Sequence, residues 1–388
     1  MDFILSEEQQ MIKKTFAEYS VNEIAPVAEE IDNKSLFPRE ILKKMAELDI
    51  FAILLPPAFG GLGRQRVDFL LAVEEIAKGS ASVAACLSAS TAASFCILAF
   101  GTDEQKNKYL PSLANGEMLA SFALAEPGGG ANWTQTTSTR AVLDGDSYVI
   151  NGSKVFISNA GEAGVYIVVA RTDPAKGPGG ISAFIVEKDT PGFSIGTVEK
   201  KLGLRGDPTA ELLLDNCRVP KQNMLGQEGD VMKIAFANGG LDCAGQAAAA
   251  VGLAQAALDE TKTYVKERTV VAPSTLANID VVQSTITEMA IAVESARYYN
   301  YGSVMPPEKP GMDPRPLMAA IQAKEMAIDV TGKAITLLGG YGCTIDFPLE
   351  RYFRDAKTLF MAPPAMTMIK SIIGKILLGV PLGPPPKK

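Results

Sequence analysis

The sequence predicts an α+β fold in three consecutive parts. These are an N-terminal helical domain over residues 1–118, a middle β-domain over 119–227 and a C-terminal four-helix bundle over 228–388. Three observations predict it. Helical spacing with two capping signatures marks the first part. Short alternating or uniformly apolar runs mark the second, and long helical segments mark the third.

Ser6-Glu-Glu-Gln9 and Thr102-Asp-Glu-Gln105 each place a glutamine three residues after a hydroxyl N-cap, so each opens a helix. Pro56-Pro-Ala-Phe-Gly-Gly61 is a loop between helices. Gly79 to Thr102 carries no charge and is long enough for a membrane. It is studded with Ser80, Ser82, Ser88, Ser90, Thr91 and Ser94, and lacks flanking basic clusters and aromatic belts, so it reads as a buried helix and not a span. From Leu119 the texture becomes that of strands. Tyr148 to Ser158 alternates, with Asn151-Gly152 as a hairpin turn. Val165–Ala170 and Ile181–Val186 are short apolar strands, Glu211–Asp215 closes the β-domain, and Val219-Pro220 leads out of it. Beyond Gly229 helices are expected over about 230–268, 278–304, 314–338 and 364–379. Met305 to Pro314 is a loop, and the proline-rich Pro381–Lys388 is a non-helical, mobile end.

The composition narrows the function. A hydrophobic share of 47% against 21% charged residues is that of a soluble globular chain. A net charge of −7 and an isoelectric point near 5.0 exclude a nucleic-acid surface of the usual basic kind. The N-terminus lacks the basic region of a signal peptide. Five scattered cysteines without CxxC spacing fit reduced thiols in a cytoplasmic protein and no zinc site. The chain has no histidine, which removes imidazole acid–base catalysis, Ser-His-Asp and Cys-His sites, and the usual metal sites. Proton transfer is left to a carboxylate, Lys, Tyr or Cys. An anionic ligand needs local basic residues, for which Lys200, Lys201 and Arg205 are candidates.

Five segments occur in an order and spacing that resemble the acyl-CoA dehydrogenase family. They are Phe122–Gly130 (FALAEPGGG), Asn151–Asn159 (NGSKVFISN), Gly203–Thr209 (GLRGDPT), Leu338–Gly342 (LGGYG) and Glu350–Lys357 (ERYFRDAK). The resemblance covers essentially the whole chain. It implies FAD, extended between the β-domain and the bundle with its adenine end reaching a neighbouring subunit. It also implies an acyl-CoA substrate, an electron-transfer flavoprotein as acceptor, and a homotetramer. By the same resemblance Phe122, Leu124 and Ala125 line the flavin ring, Phe156 packs on a ring face, and Ser158 offers a hydroxyl to its polar edge. Ala131 lies by the pyrophosphate, and Arg268, Gly339 and Gly340 are phosphate-side contacts. Ser90, Ser94, Arg205 and Tyr341 fall on the substrate side. Departures accompany the match. Ala125 and Ala131 stand where the family has Thr and Ser, Val271-Ala272 replaces a Phe-Gly pair, and Asp280 and Thr336 replace glutamines.

The sharpest departure is at Pro363. In the family a loop reading roughly Tyr-Glu-Gly-Thr follows the Arg351–Lys357 block. Its Glu removes the α-proton of the thioester, and the same residue's N–H donates to the thioester oxygen. Pro363 occupies that position and supplies neither group. Some family members carry the base instead on the first long bundle helix. Anchored on Val251-Gly252, that alternative position falls on Asp242. Three readings stay open: a dehydrogenase with Asp242 as base, a same-fold flavoenzyme working without α-proton abstraction (a desulfinase-like elimination or an unusual ring desaturation), and a silent subunit of a hetero-oligomer.

Overall fold

A computed structural model describes residues 5–129, 133–306 and 313–380. Helices α1 (Glu7–Tyr19) and α2 (Ala25–Lys34) continue one another through a π turn at Ser20–Ile24. They are followed by α3 (Arg39–Ala46), α4 (Arg66–Gly79), α5 (Ala81–Phe100) and α6 (Asp103–Ala114). Both capping boxes form. The Ser6 hydroxyl accepts the Gln9 N–H while the Ser6 N–H donates to the Gln9 side chain, and Thr102 and Gln105 repeat the exchange. Helix α5 is the uncharged run. It is long and apolar enough to cross a membrane, yet its apolar window is mostly buried against α4, α8 (below) and the first strand.

The middle part contains β1 (Ala120–Ala123), the single turn α7 (Trp133–Thr136), β2 (Arg140–Asp144), β3 (Ser147–Ser158), β4 (Val165–Arg171), β5 (Ile181–Glu187), β6 (Phe193–Val198), β7 (Thr209–Pro220) and β8 (Met224–Leu225). The sheet order is β6-β7-β3-β2-β4-β5-β8, and β1 joins β4 in parallel. Asn151-Gly152 is not the predicted hairpin turn. Strand β3 runs straight through it, and the turn lies earlier, where Gly145 takes a φ of 62°. The pair sits instead at a register shift between β3 and β7, where the Asn151 side chain accepts the Asn216 N–H at 2.8 Å. A Cβ on Gly152 would meet Thr139 at 2.6 Å, so glycine here serves close strand approach.

The C-terminal part begins with α8 (Val231–Glu267). The small hairpin β9 (Thr269–Val271) and β10 (Ser274–Thr275) follows, then α9 (Asp280–Ser303), α10 (Arg315–Leu338), α11 (Leu349–Met361) and α12 (Met366–Leu378). The sequence reading assigned no helix to 349–361. That segment is short and heavily charged, and its inward face is only Leu349, Asp355, Ala356 and Leu359. The predicted mobile tail lies outside the described residues, as does most of the predicted loop at 305–314.

Helix α8 is the axis of the molecule, packing against α4, α5, α9, α10 and α11. Its run Ala244-Gly-Gln-Ala-Ala-Ala-Ala-Val-Gly252 keeps side chains small so that α4 and α5 can approach. A Cβ on Gly252 would stand 2.1 Å from the Glu74 carbonyl oxygen, and one on Gly245 2.2 Å from Ser88 Oγ. Across the same seam Arg297 Nε donates to Glu74 at 2.8 Å and Tyr301 to its other oxygen at 2.6 Å, while Arg297 also reaches Gln255 at 2.7 Å. Gly252→Val is expected to force α4 from α8 and cost about 3 kcal/mol, the upper end of overpacking penalties. Denaturant unfolding of the variant measures it.

Candidate active site

Three of the five sequence segments meet around Asp207. Ser158 Oγ donates to Asp207 Oδ2 at 2.8 Å, and the Asn159 N–H to Oδ1 at 3.1 Å. Asn159 Nδ2 reaches the Cys86 carbonyl of α5 at 2.9 Å, and the Gly206 N–H reaches Ser82 Oγ at 3.3 Å. The end of β3 is tied to the chain just past β1 by Val155 N–H to the Ala125 carbonyl at 2.9 Å, and Lys154 reaches the Leu124 carbonyl at 3.3 Å. Lys154 is itself wholly buried and paired with Glu126 at 2.6 Å. Burial pushes Glu126 up, but Lys154 and the donors of Ser138 and Thr139 outweigh it and hold its carboxyl at about 2.

On this frame Phe156 takes a φ of 56° and is 58% exposed. A bulky residue in the left-handed region is strained, and the ring it carries stands open to solvent. Phe122 on β1, and Leu124 and Ala125 just beyond its end, are half-buried. The Ser158 hydroxyl, expected to face the flavin edge, donates to Asp207 here, and its oxygen keeps acceptor capacity.

A second cluster forms where α8 and α10 end. Arg268, the C-cap of α8, is exposed and lies over the Tyr341 ring, with its Cζ 5.7 Å from the centroid. Together with Tyr264, Thr336, Gly339 and Gly340 these residues line an open pocket of about 490 Å³. Gly339 ends α10 with a φ of 62°, and a Cβ on Gly339 or Gly340 would meet only open space. Tyr341 was expected on the substrate side. It stands beside Arg268, held in an aromatic cluster with Tyr264 and Phe347.

Asp242 and Pro363 are brought together by one amide. Gln246 Nε2 donates to Asp242 Oδ2 at 2.6 Å and to the Pro363 carbonyl at 2.9 Å. Gln246 Oε1 is buried without a hydrogen-bond partner. Burial pushes the Asp242 carboxyl up to about 6, against Lys324 and the Gln246 hydrogen bond, which pull it down. Asp242 keeps an intermediate overall exposure, so its carboxylate is enclosed by protein without being sealed from the outside.

The remaining expected residues are placed elsewhere. Ser90 Oγ accepts the Ala120 N–H at 3.0 Å, and Ser94 Oγ donates to the Ser90 carbonyl at 2.9 Å. Both are buried, Ser90 tied to β1 and Ser94 to its own helix. Arg205 donates to the Lys201 carbonyl at 3.2 Å and lies 3.8 Å from Asp32. Lys201 turns inward to Thr209 at 2.8 Å. Ala131 lies outside the described residues. Sequence reasoning missed Asp207, Gln246 and Lys324 as site residues. Gln246 had a signal, standing one helical turn after Asp242. Lys324 had one too, a lone charge in the inward stripe Ala320, Ala323, Ala327.

Known proteins share this architecture. Family profiles for the acyl-CoA dehydrogenase N-terminal, middle and C-terminal domains match residues 6–117, 121–217 and 240–363 in turn. The chain is 42% identical over 363 residues to the short-chain specific acyl-CoA dehydrogenase of Clostridium acetobutylicum, covering 92% of this chain and 94% of that one. It is 43% identical over 362 residues to the acryloyl-CoA reductase (NADH) of Anaerotignum propionicum, covering 92% and 91%. The solved butyryl-CoA dehydrogenase of Megasphaera elsdenii superposes with a TM-score of 0.94 at 35% identity, over 97% of this chain and 100% of that one. The chain belongs to the acyl-CoA dehydrogenase family.

Proposed function

We propose that this protein is an FAD-dependent acyl-CoA dehydrogenase in which Asp242, on the long bundle helix, takes the α-proton in place of a glutamate on the 361–365 loop. The observation that carries this reading is the Gln246 bridge, which links the carboxylate through one amide to the carbonyl of Pro363. A carboxyl near 6 is still ionised at neutral pH and more basic than an ordinary aspartate, which suits a general base. No histidine competes for the role.

The residues present fit FAD at both ends. Phe156 offers an exposed ring on a left-handed backbone for a flavin face, and excludes water there once covered. Arg268 offers an exposed guanidinium, and Gly339 and Gly340 give open backbone beside it for phosphates. Bound FAD supplies the hydride acceptor of the reaction. The family relation supports electron-transfer flavoprotein as the onward acceptor and a homotetramer as the assembly. Apolar side chains left exposed on the bundle, among them Val271, Val281 and Ile345, fit burial against further copies.

The test is anaerobic addition of butyryl-CoA to the purified protein. Yellow protein bleached by the thioester is the expected result. Protein that is colourless and stays so with added FAD would point to the silent subunit, and coloured protein untouched by any saturated acyl-CoA to chemistry without α-proton abstraction. Arg268→Ala is expected to weaken FAD binding about 10- to 100-fold, the loss of a charge-assisted hydrogen bond, with the fold intact. An FAD titration followed by absorbance measures it.

A further inference from the structure

Lys324, on α10, is wholly buried. The other fully enclosed lysine among the described residues, Lys154, has its carboxylate at 2.6 Å. Lys324 has no carboxylate oxygen within 4 Å among the described residues, and its Nζ donates to the Ala362 carbonyl at 3.2 Å. A buried ammonium with so little around it is costly, so whatever field compensates it matters. The titratable groups facing it are Asp242 and Cys243 of α8. Asp242 in turn faces Asp207 of the 203–209 loop and Cys96 of α5, and neither brings a positive charge.

The backbone geometry links the same residues. Two consecutive carbonyls of the loop accept from the two neighbouring bundle helices, Ala362 from Lys324 of α10 and Pro363 from Gln246 of α8. Gln246 spends its other donor on Asp242. The loop that lacks a base is thereby tied both to an ammonium and to the amide that holds a carboxylate.

We propose that Lys324 is a positioning residue for the base: held under the loop by the Ala362 carbonyl, its ammonium supplies the field that keeps Asp242 ionised and ready to accept a proton. This rests on the reading of Asp242 as base. Burial drives both groups toward neutrality, Asp242 up and Lys324 down, and each opposes the other's shift. Removing the ammonium therefore moves Asp242 further up, and less of it is ionised at neutral pH.

Lys324→Gln keeps an N–H donor for Ala362 and loses the charge, while Lys324→Met loses both. In each, the acid limb of the pH profile of flavin reduction by butyryl-CoA should move upward by about one pH unit, with most activity regained above it. A readout independent of turnover accompanies it: the melting-temperature gap between Asp242 and Asp242→Asn proteins should go on widening to higher pH in the Lys324→Gln background. If Lys324→Met does not fold, Lys324→Gln carries the test. An acid limb unmoved in Lys324→Gln, while Asp242→Asn is inactive, overturns the role of Lys324 and leaves the base reading standing. Full reduction by Asp242→Asn sinks the base reading itself, and this inference with it.

Discussion

Asp242→Asn is expected to cut flavin reduction by a saturated acyl-CoA at least ~10²-fold, the usual floor for a general base. The substitution is close to isosteric, and the remaining oxygen still accepts from Gln246, so fold and bridge should survive. Two further signs identify the group. The parent's rate should rise with pH through about 6, where Asp242 loses its proton, and Asp242→Asn should lack that limb. Stability should move the other way. The folded carboxyl is raised from 3.8 to about 6, so between these values the folded state holds the proton that the unfolded state releases. Asp242 thus costs stability as pH climbs through that window. Asp242→Asn should melt above the parent at pH 7 and lose that advantage below about pH 4. A variant that reduces flavin at the parental rate would remove Asp242 from the mechanism.

The three-part layout was legible because its signals are local. Capping boxes at Ser6 and Thr102, apolar strands at Val165 and Ile181, and the long alanine-rich helix each follow from nearest neighbours along the chain. Asn151-Gly152 misled for the same reason. The dipeptide has turn chemistry, but a partner 65 residues away, Asn216, uses Asn151 to hold a strand together. Helix α11 went unrecognised because its charged residues face other segments: Arg354 pairs with Asp32 at 2.6 Å, and Asp355 accepts the Leu204 N–H at 2.6 Å. The site divides similarly. Asp242 could be picked out by counting along one helix, but the amide that links it to the proline loop could not. That Ser90 is tied to β1 through the Ala120 N–H, or that Tyr341 stands beside Arg268, depends on long-range packing that no window of sequence contains.

Pro363→Glu in the Asp242→Asn background is the converse experiment, with an expected recovery of flavin reduction of at least ~10-fold over Asp242→Asn alone. The substitution returns two groups at once, a carboxylate and a backbone N–H, and a lost oxyanion donor by itself is worth ~10²–10³ in rate. The background matters. Gln246 holds Asp242 beside the Pro363 carbonyl, so a glutamate added to the parent would face a second carboxylate. Each would raise the other and one would stay protonated near neutrality. Pro363→Glu alone should therefore gain less than the double variant gains over Asp242→Asn, and its acid limb should lie above the parent's. Lys324 stands under the same loop and should favour ionisation of the new carboxylate, so adding Lys324→Gln to the double variant should shift its acid limb upward as well. A folded, FAD-bound double variant with no recovery would mean that the thioester α-carbon does not lie under this loop. The base reading of Asp242 would still stand or fall with Asp242→Asn alone.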